Sequence, residues 1–143
     1  MTPDQKLLVK STWAAVLPMA DTAASLFYDR LFEIDPATRA LFKSGDLAEQ
    51  RKKLMQALAF VVAGLDHLDR LVPTIEELGR RHAEYGVTTA HYASVGAALL
   101  WTLEQGLASA WTSDAEAAWS AAYDLLSEVM QNAAPASSRP VAA

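Results

Sequence analysis

The 143-residue chain contains no cysteine, no long apolar run and fewer basic than acidic residues. Without cysteine it can form neither a disulfide framework nor a thiolate metal site, and we expect a cytoplasmic protein. The apolar run that includes residues 57–62 is much shorter than the roughly 18 residues of a membrane span, so no span is predicted. The first residues lack the charged and then apolar pattern of a secretory signal.

The shortage of basic residues also limits the choice of partner. The formal net charge is −5, whereas proteins that bind nucleic acids usually present a basic patch. The one dense basic cluster, Arg51-Lys52-Lys53, spans a single helical turn and is typical of a solvated helix face. We therefore predict no nucleic-acid partner.

Hydrophobic residues recur with helical spacing almost throughout, and no strand pattern of useful length is present. We predict one domain over residues 1–134, followed by a disordered tail over residues 135–143 that is rich in Ala, Ser and Pro. Thr2 and Gln5 form a capping signature for the first helix, which runs to about Leu17. The second helix covers about residues 19–34, and Asp35-Pro36 begins a short helical turn.

The second half of the chain follows the same pattern. Asp46 with Glu49 predicts the start of a helix that reaches about Gly64, and residues 67–73 are expected to be irregular. Further helices are predicted over residues 74–84 and 89–107, and the last begins at a cap formed by Ser113. An all-α domain results, either a parallel bundle or a pairwise packing at steeper angles. The unequal helix lengths favour the second.

One histidine is conspicuous because it ends an apolar helical stripe. Leu71, Ile75, Leu78 and His82 share one helix face that should point inward. A buried imidazole needs either a hydrogen bond or a metal, and the spacing alone leaves both open.

An ordered set of residues narrows the choice. It consists of Phe27-Tyr28, Leu31-Phe32, Asp35-Pro36, Leu41-Phe42, Gln50, Leu54, Arg81-His82, Gly86-Val87 and His91-Tyr92. Over about residues 4–130 the chain resembles bacterial single-domain globins, including Vitreoscilla-type haemoglobin, the haem domains of flavohaemoglobins and globins of methane-oxidising bacteria. The resemblance implies a globin fold, with helices packed pairwise around a pocket for haem b.

The resemblance also implies roles for individual residues. His82 matches the proximal iron ligand, Tyr28 and Gln50 match distal donors to dioxygen or another diatomic ligand, and Tyr92 is expected near His82. The remaining expected haem contacts are Phe42, Lys53, Leu54, Val87, Val95 and Leu99. Without the resemblance, Tyr28 could be a tyrosine at the edge of the core and Gln50 a boundary residue. We expect His67 at the surface and His91 as a hinge residue near the haem edge.

The chain departs from the family at one position. Flavohaemoglobins pair the proximal histidine with a tyrosine and a glutamate of the last helix, and the residue that aligns with that glutamate is Ala134. Glu128 lies six residues earlier, on another face of the helix. We therefore expect poor peroxidase-like chemistry.

Three functions remain. The first is reversible, tight dioxygen binding by a carrier or store. The alternative is a nitric oxide dioxygenase, which needs an outside reductase because no dinucleotide-binding glycine loop is present. The third is a haem-free helical signalling module.

Overall fold

The computed structural model describes residues 1–42 and 47–134, and within these ranges the regular structure is entirely helical. The six α-helices are α1 Pro3–Val16, α2 Ala20–Ile34, α3 Leu47–Ala63, α4 Leu68–Glu84, α5 Thr89–Leu107 and α6 Ser113–Ala133. Short 3₁₀ turns cover Leu17–Met19, Pro36–Leu41, Leu65–His67 and Ala108–Ala110. Among the helices described, none is long and apolar enough to cross a bilayer.

The start of α1 confirms the predicted capping box. The Gln5 backbone N–H donates to Thr2 Oγ1 at 3.1 Å, and the Thr2 backbone N–H donates to Gln5 Oε1 at 2.9 Å. Two of the N–H groups that a helix start leaves without partners are thereby satisfied. The predicted cap at Asp46 and the predicted disordered tail both lie outside the described residues.

The main helix contacts join elements that are distant in sequence. α1 packs on α6, α2 on α5, and α4 on α6. Trp13 and Trp119 meet in the centre with their ring centroids 6.3 Å apart, and Trp119 Nε1 donates to the buried Thr12 hydroxyl at 2.8 Å. This arrangement confirms pairwise packing, because an up-and-down bundle would pair consecutive helices.

The consecutive helices α3 and α4 separate instead of packing together. α3 lies against α2, α4 lies against α6, and across the described residues α3 and α4 barely touch. The apolar core is correspondingly divided into a main cluster and a smaller cluster built around Leu71, Ile75 and Met130. From this division we infer a cleft between α3 and α4.

Two predicted boundaries were wrong. Residues 67–73 are not irregular: α4 begins at Leu68 and contains Pro73 in its interior. Burial of Leu71 outweighs the backbone hydrogen bond that proline cannot donate. At the last helix the capping residue is Thr112, whose side chain accepts from the Ala115 backbone N–H, and Ser113 is already helical.

Ala108, which follows the last residue of α5, has a strained backbone. Its φ of 47° and ψ of −114° lie where side chains with a Cβ atom are disfavoured. Among the non-glycine residues described, it alone has a positive φ. The turn therefore stores strain that glycine would not have.

We predict that Ala108→Gly raises the free energy of unfolding by about 1 kcal/mol, because glycine adopts this conformation without a Cβ clash. Ala110→Gly is the matched control: Ala110 is also exposed and has no positive φ, so this variant should have a free energy of unfolding about 0.5–1 kcal/mol lower than that of the wild type. Urea unfolding of both variants measures the difference. Destabilisation by Ala108→Gly would contradict the strain.

Candidate functional site

His82 lies half-buried in the last turn of α4, and one of its ring nitrogens is already hydrogen-bonded. Nδ1 donates to the Leu78 carbonyl oxygen one turn earlier at 2.7 Å. The ring is thereby oriented, and Nε2 keeps its lone pair. Burial lowers the pKa of His82, and the Leu78 hydrogen bond opposes this only in part, so the imidazole is neutral at pH 7.

The backbone of His82 is held as firmly as its ring. Beyond the end of α4, the Val87 N–H donates to the His82 carbonyl at 3.0 Å and the Gly86 N–H donates to the Ala83 carbonyl at 3.1 Å. These are the two bonds of a Schellman motif, which needs a left-handed residue that is usually glycine. Gly86 supplies it with a φ of 90°.

Tyr92, on α5, forms the wall beside His82. The two rings stack with centroids 6.4 Å apart and an interplanar angle of 29°. The Tyr123 hydroxyl donates to the Tyr92 carbonyl at 2.7 Å and so ties this wall to α6. Gly96 provides the space for Tyr123, because a Cβ atom there would lie 2.8 Å from its ring.

A cluster of aromatic residues forms the other wall. The Tyr28 ring meets Phe42 edge to face at 5.5 Å, and Phe32 lies 5.8 Å from Phe42. The Tyr28 hydroxyl donates at 3.2 Å to the backbone carbonyl of Gln50. Burial raises the pKa of Tyr28 to about 12 although the charge of Arg51 opposes the shift, so the hydroxyl stays protonated at neutral pH.

The two walls meet at one end of the cleft. The Ser94 hydroxyl on α5 donates to Asp35 Oδ2 at the end of α2, at 3.0 Å. At the corner between α4 and α5, a Cβ atom on Gly86 would lie 3.8 Å from a methyl carbon of Leu41, the neighbour of Phe42. The corner between α4 and α5 therefore lies beside the aromatic cluster of Tyr28, Phe32 and Phe42.

The other expected contact residues have different surroundings. Leu54 and Val95 are partly buried against the main core, and Leu99 is fully buried. Val87 lines a small cleft with Tyr92, whereas Lys53 is exposed.

The exposure of the α3 side chains indicates whether an apolar group could bind against this helix. In this 17-residue helix only Val62 is fully buried, although its second half is almost entirely apolar. Leu54, Leu58 and Val61 are only partly covered by the protein. Partly exposed apolar side chains on α3, a neutral imidazole nitrogen and an uncharged phenol are groups that suit a flat, largely apolar iron complex, so the residues present fit the haem that the resemblance implies.

The other two histidines have different surroundings. His67 is exposed, as predicted. His91 acts as a cap of α5: its Nδ1 accepts from the Thr88 backbone N–H at 2.9 Å. The expectation of a hinge residue did not foresee this role, although the Thr88-x-x-His91 spacing matches that of a capping box, in which Glu or Gln is usual.

The position expected to lack a carboxylate is Ala134. Ala134 is buried and lines the small cleft together with Tyr92, Gly79 and Gln131. Glu128 is exposed. A side chain at position 134 would therefore lie on the Tyr92 side of His82, and alanine leaves that place without an acid.

Comparison with known proteins identifies the family of the chain. A family model described as globin matches residues 25–130. A flavohemoprotein of Bordetella parapertussis is 33% identical over 134 residues, covering 91% of this chain and 33% of its own length, so the chain spans about a third of that relative. A neuroglobin of Danio rerio is 29% identical, covering 91% of this chain and 90% of its own.

Solved structures show the same fold. An engineered carbene transferase from Rhodothermus marinus, which carries the provisional name nitric oxide dioxygenase, superposes with a TM-score of 0.81 at 27% identity, covering 92% of both chains. A bacterial globin from Campylobacter jejuni gives 0.80 at 21% identity, covering 92% of this chain and 95% of its own. The chain therefore belongs to the globin family, a membership that implies a haem cofactor.

Proposed function

We propose that this chain is a cytoplasmic globin that holds haem b and binds dioxygen reversibly, as a carrier or store. The proposal is supported by a neutral imidazole that the Leu78 carbonyl orients, and by a buried, protonated phenol that donates to the Gln50 carbonyl, in a chain of the globin family. Haem, when bound, supplies the iron and its redox chemistry. Side chains of this chain would hold the iron, cover the macrocycle and donate to the bound dioxygen.

His82 would hold the iron, and its Leu78 hydrogen bond fixes the ring in the tautomer that ligation needs. Phe42, Leu54 and Leu99 would cover the faces of the macrocycle with apolar surface. Lys53 is exposed and could neutralise a carboxylate at the rim.

Tyr28 is the better candidate for the donor to dioxygen. Its hydroxyl already donates into the space beside Gln50, to a neutral carbonyl. A hydrogen bond to a charged acceptor is worth about 1.5–3 kcal/mol, against about 0.5–1.5 kcal/mol for a neutral one. An acceptor with superoxide character would therefore draw the hydroxyl away from Gln50. The glutamine amide must also fix three torsions to donate, which costs more entropy than turning a phenol.

A second function is supported by the relatives. The chain is similar to flavohemoproteins and to the Rhodothermus marinus protein provisionally named a nitric oxide dioxygenase. The same residues would serve conversion of nitric oxide to nitrate, provided that an outside reductase restores the iron. A haem-free signalling module finds less support, because it has no use for His82 and Tyr28 around one cleft.

We predict that His82→Ala purifies with little haem, because no other histidine of the chain lies in the cleft: His67 is exposed and His91 caps α5. The measurement is haem per chain, from the absorption spectrum. His67→Ala is the control and should keep full occupancy. Wild-type protein without haem would remove the proposed function, and a His82→Ala protein with normal haem and an unchanged reduced spectrum would remove the ligand assignment.

We predict that Tyr28→Phe raises the oxygen dissociation rate constant about ten- to a hundredfold, because one charge-assisted hydrogen bond is lost. Gln50→Leu should raise it less. Since the pKa of Tyr28 is about 12, the wild-type rate should stay constant between pH 7 and 10. Stopped-flow replacement of oxygen by carbon monoxide measures all three. If Gln50→Leu has the larger effect, the roles of the two residues are exchanged.

We predict that the oxygenated protein converts nitric oxide to about one nitrate per haem and then stops unless a reductase is added. The ferric protein should be a poor peroxidase, because position 134 carries no acid beside Tyr92. Nitrate per haem, with and without a reductase, tests the second function. Failure to form nitrate even once would leave the oxygen carrier.

A further inference from the structure

Gly79 lies where α4 crosses α6 at very short range. A Cβ atom built on this residue would be 2.2 Å from the Met130 carbonyl oxygen, 2.6 Å from its Cα and 2.7 Å from its carbonyl carbon. All three are backbone atoms, which cannot rotate aside as a side chain can. The two helices therefore touch backbone to backbone at Gly79, and any larger residue there must move a helix.

The crossing lies within one turn of His82, on the same helix. α4 packs more extensively on α6 than on any other described helix, and Gly79 is fully buried in that contact. Three residues later, the His82 ring donates to the Leu78 carbonyl of the same helix, and the His82 carbonyl accepts from Val87 in the corner that follows α4. Because the His82 ring is hydrogen-bonded to a carbonyl of its own helix, a displacement of α4 displaces the ring.

Other close glycine contacts in the described chain are softer. At Gly64 a Cβ atom would come within 2.4 Å of Leu71, and at Gly96 within 2.8 Å of Tyr123, but in both cases the atoms met belong to side chains. At Gly79 the neighbour is the α6 backbone itself.

We propose that Gly79 is a positioning residue for the iron ligand: by allowing α4 to lie on the backbone of α6, it fixes where His82 stands in the cleft. The proposal rests on the proposed haem function. A single methyl group added at Gly79, which touches neither haem nor dioxygen, should therefore change the strength of the iron–imidazole bond and the rate of oxygen release.

The test compares three variants of the full chain. Gly79→Ala adds the methyl group against backbone. Gly64→Ala is the matched control, since it adds the same group against the Leu71 side chain at the far end of α4. Met130→Ala removes a buried side chain from the α4–α6 contact but leaves the backbone crossing unchanged. For each, the iron–imidazole stretching vibration of the reduced, ligand-free protein is recorded by resonance Raman spectroscopy, together with the oxygen dissociation rate constant and the thermal midpoint.

Gly79→Ala should shift the vibration and change the dissociation rate about tenfold, as small displacements of a reacting group can. Gly64→Ala and Met130→Ala should lower the thermal midpoint without shifting the vibration. A wild-type vibration and rate in Gly79→Ala would overturn the proposal, and so would an equal shift in Met130→Ala. If Gly79→Ala does not fold, Met130→Ala still tests the proposal, because any shift of the vibration in that variant would overturn it. Wild-type protein that takes up no haem would instead reject the proposed function.

Discussion

A half-buried imidazole that must stay neutral and correctly oriented is the constraint on which the site depends. The Leu78 carbonyl fixes the tautomer of His82, burial disfavours its protonation, and Tyr92 stacks beside the ring. The Schellman motif at Gly86 then ends the helix at Glu84, two residues after His82. A buried polar group is costly unless it is satisfied, so each of these contacts is also a contribution to stability.

The second constraint is the incomplete apolar core. In most globular domains adjacent helices cover each other's apolar faces, whereas α3 and α4 diverge and leave Leu54, Leu58 and Val61 partly exposed. Apolar area left open to water forfeits about 25 cal/mol per Å² of stabilisation. A ligand that covers this surface therefore stabilises the fold by binding it, and folding and cofactor binding become linked equilibria.

The sequence was sufficient for features that depend on local chemistry. The Thr2 capping box and the inward stripe ending at His82 follow from spacing alone, and both are present. Features that depend on distant partners were missed. Pro73 is a helix breaker by propensity and is overruled by burial of neighbouring residues on the smaller core. In the sequence, Gly79 is simply a residue that disfavours a helix. The reason for glycine there is the α6 backbone, which leaves no room for a Cβ atom and lies some fifty residues further along the chain.

Pro73 has a mechanical consequence for α4. Because proline has no N–H, the Asp69 carbonyl lacks its usual partner within the helix. Bending α4 between Asp69 and Pro73 therefore breaks no backbone hydrogen bond between these two residues. Leu68 contacts both hydrophobic clusters, whereas Ile75 belongs to the smaller one alone. α4 is nevertheless held by the smaller cluster on both sides of this gap, by Leu71 before Pro73 and by Ile75 after it, so side-chain packing provides the continuity that the backbone lacks at the proline.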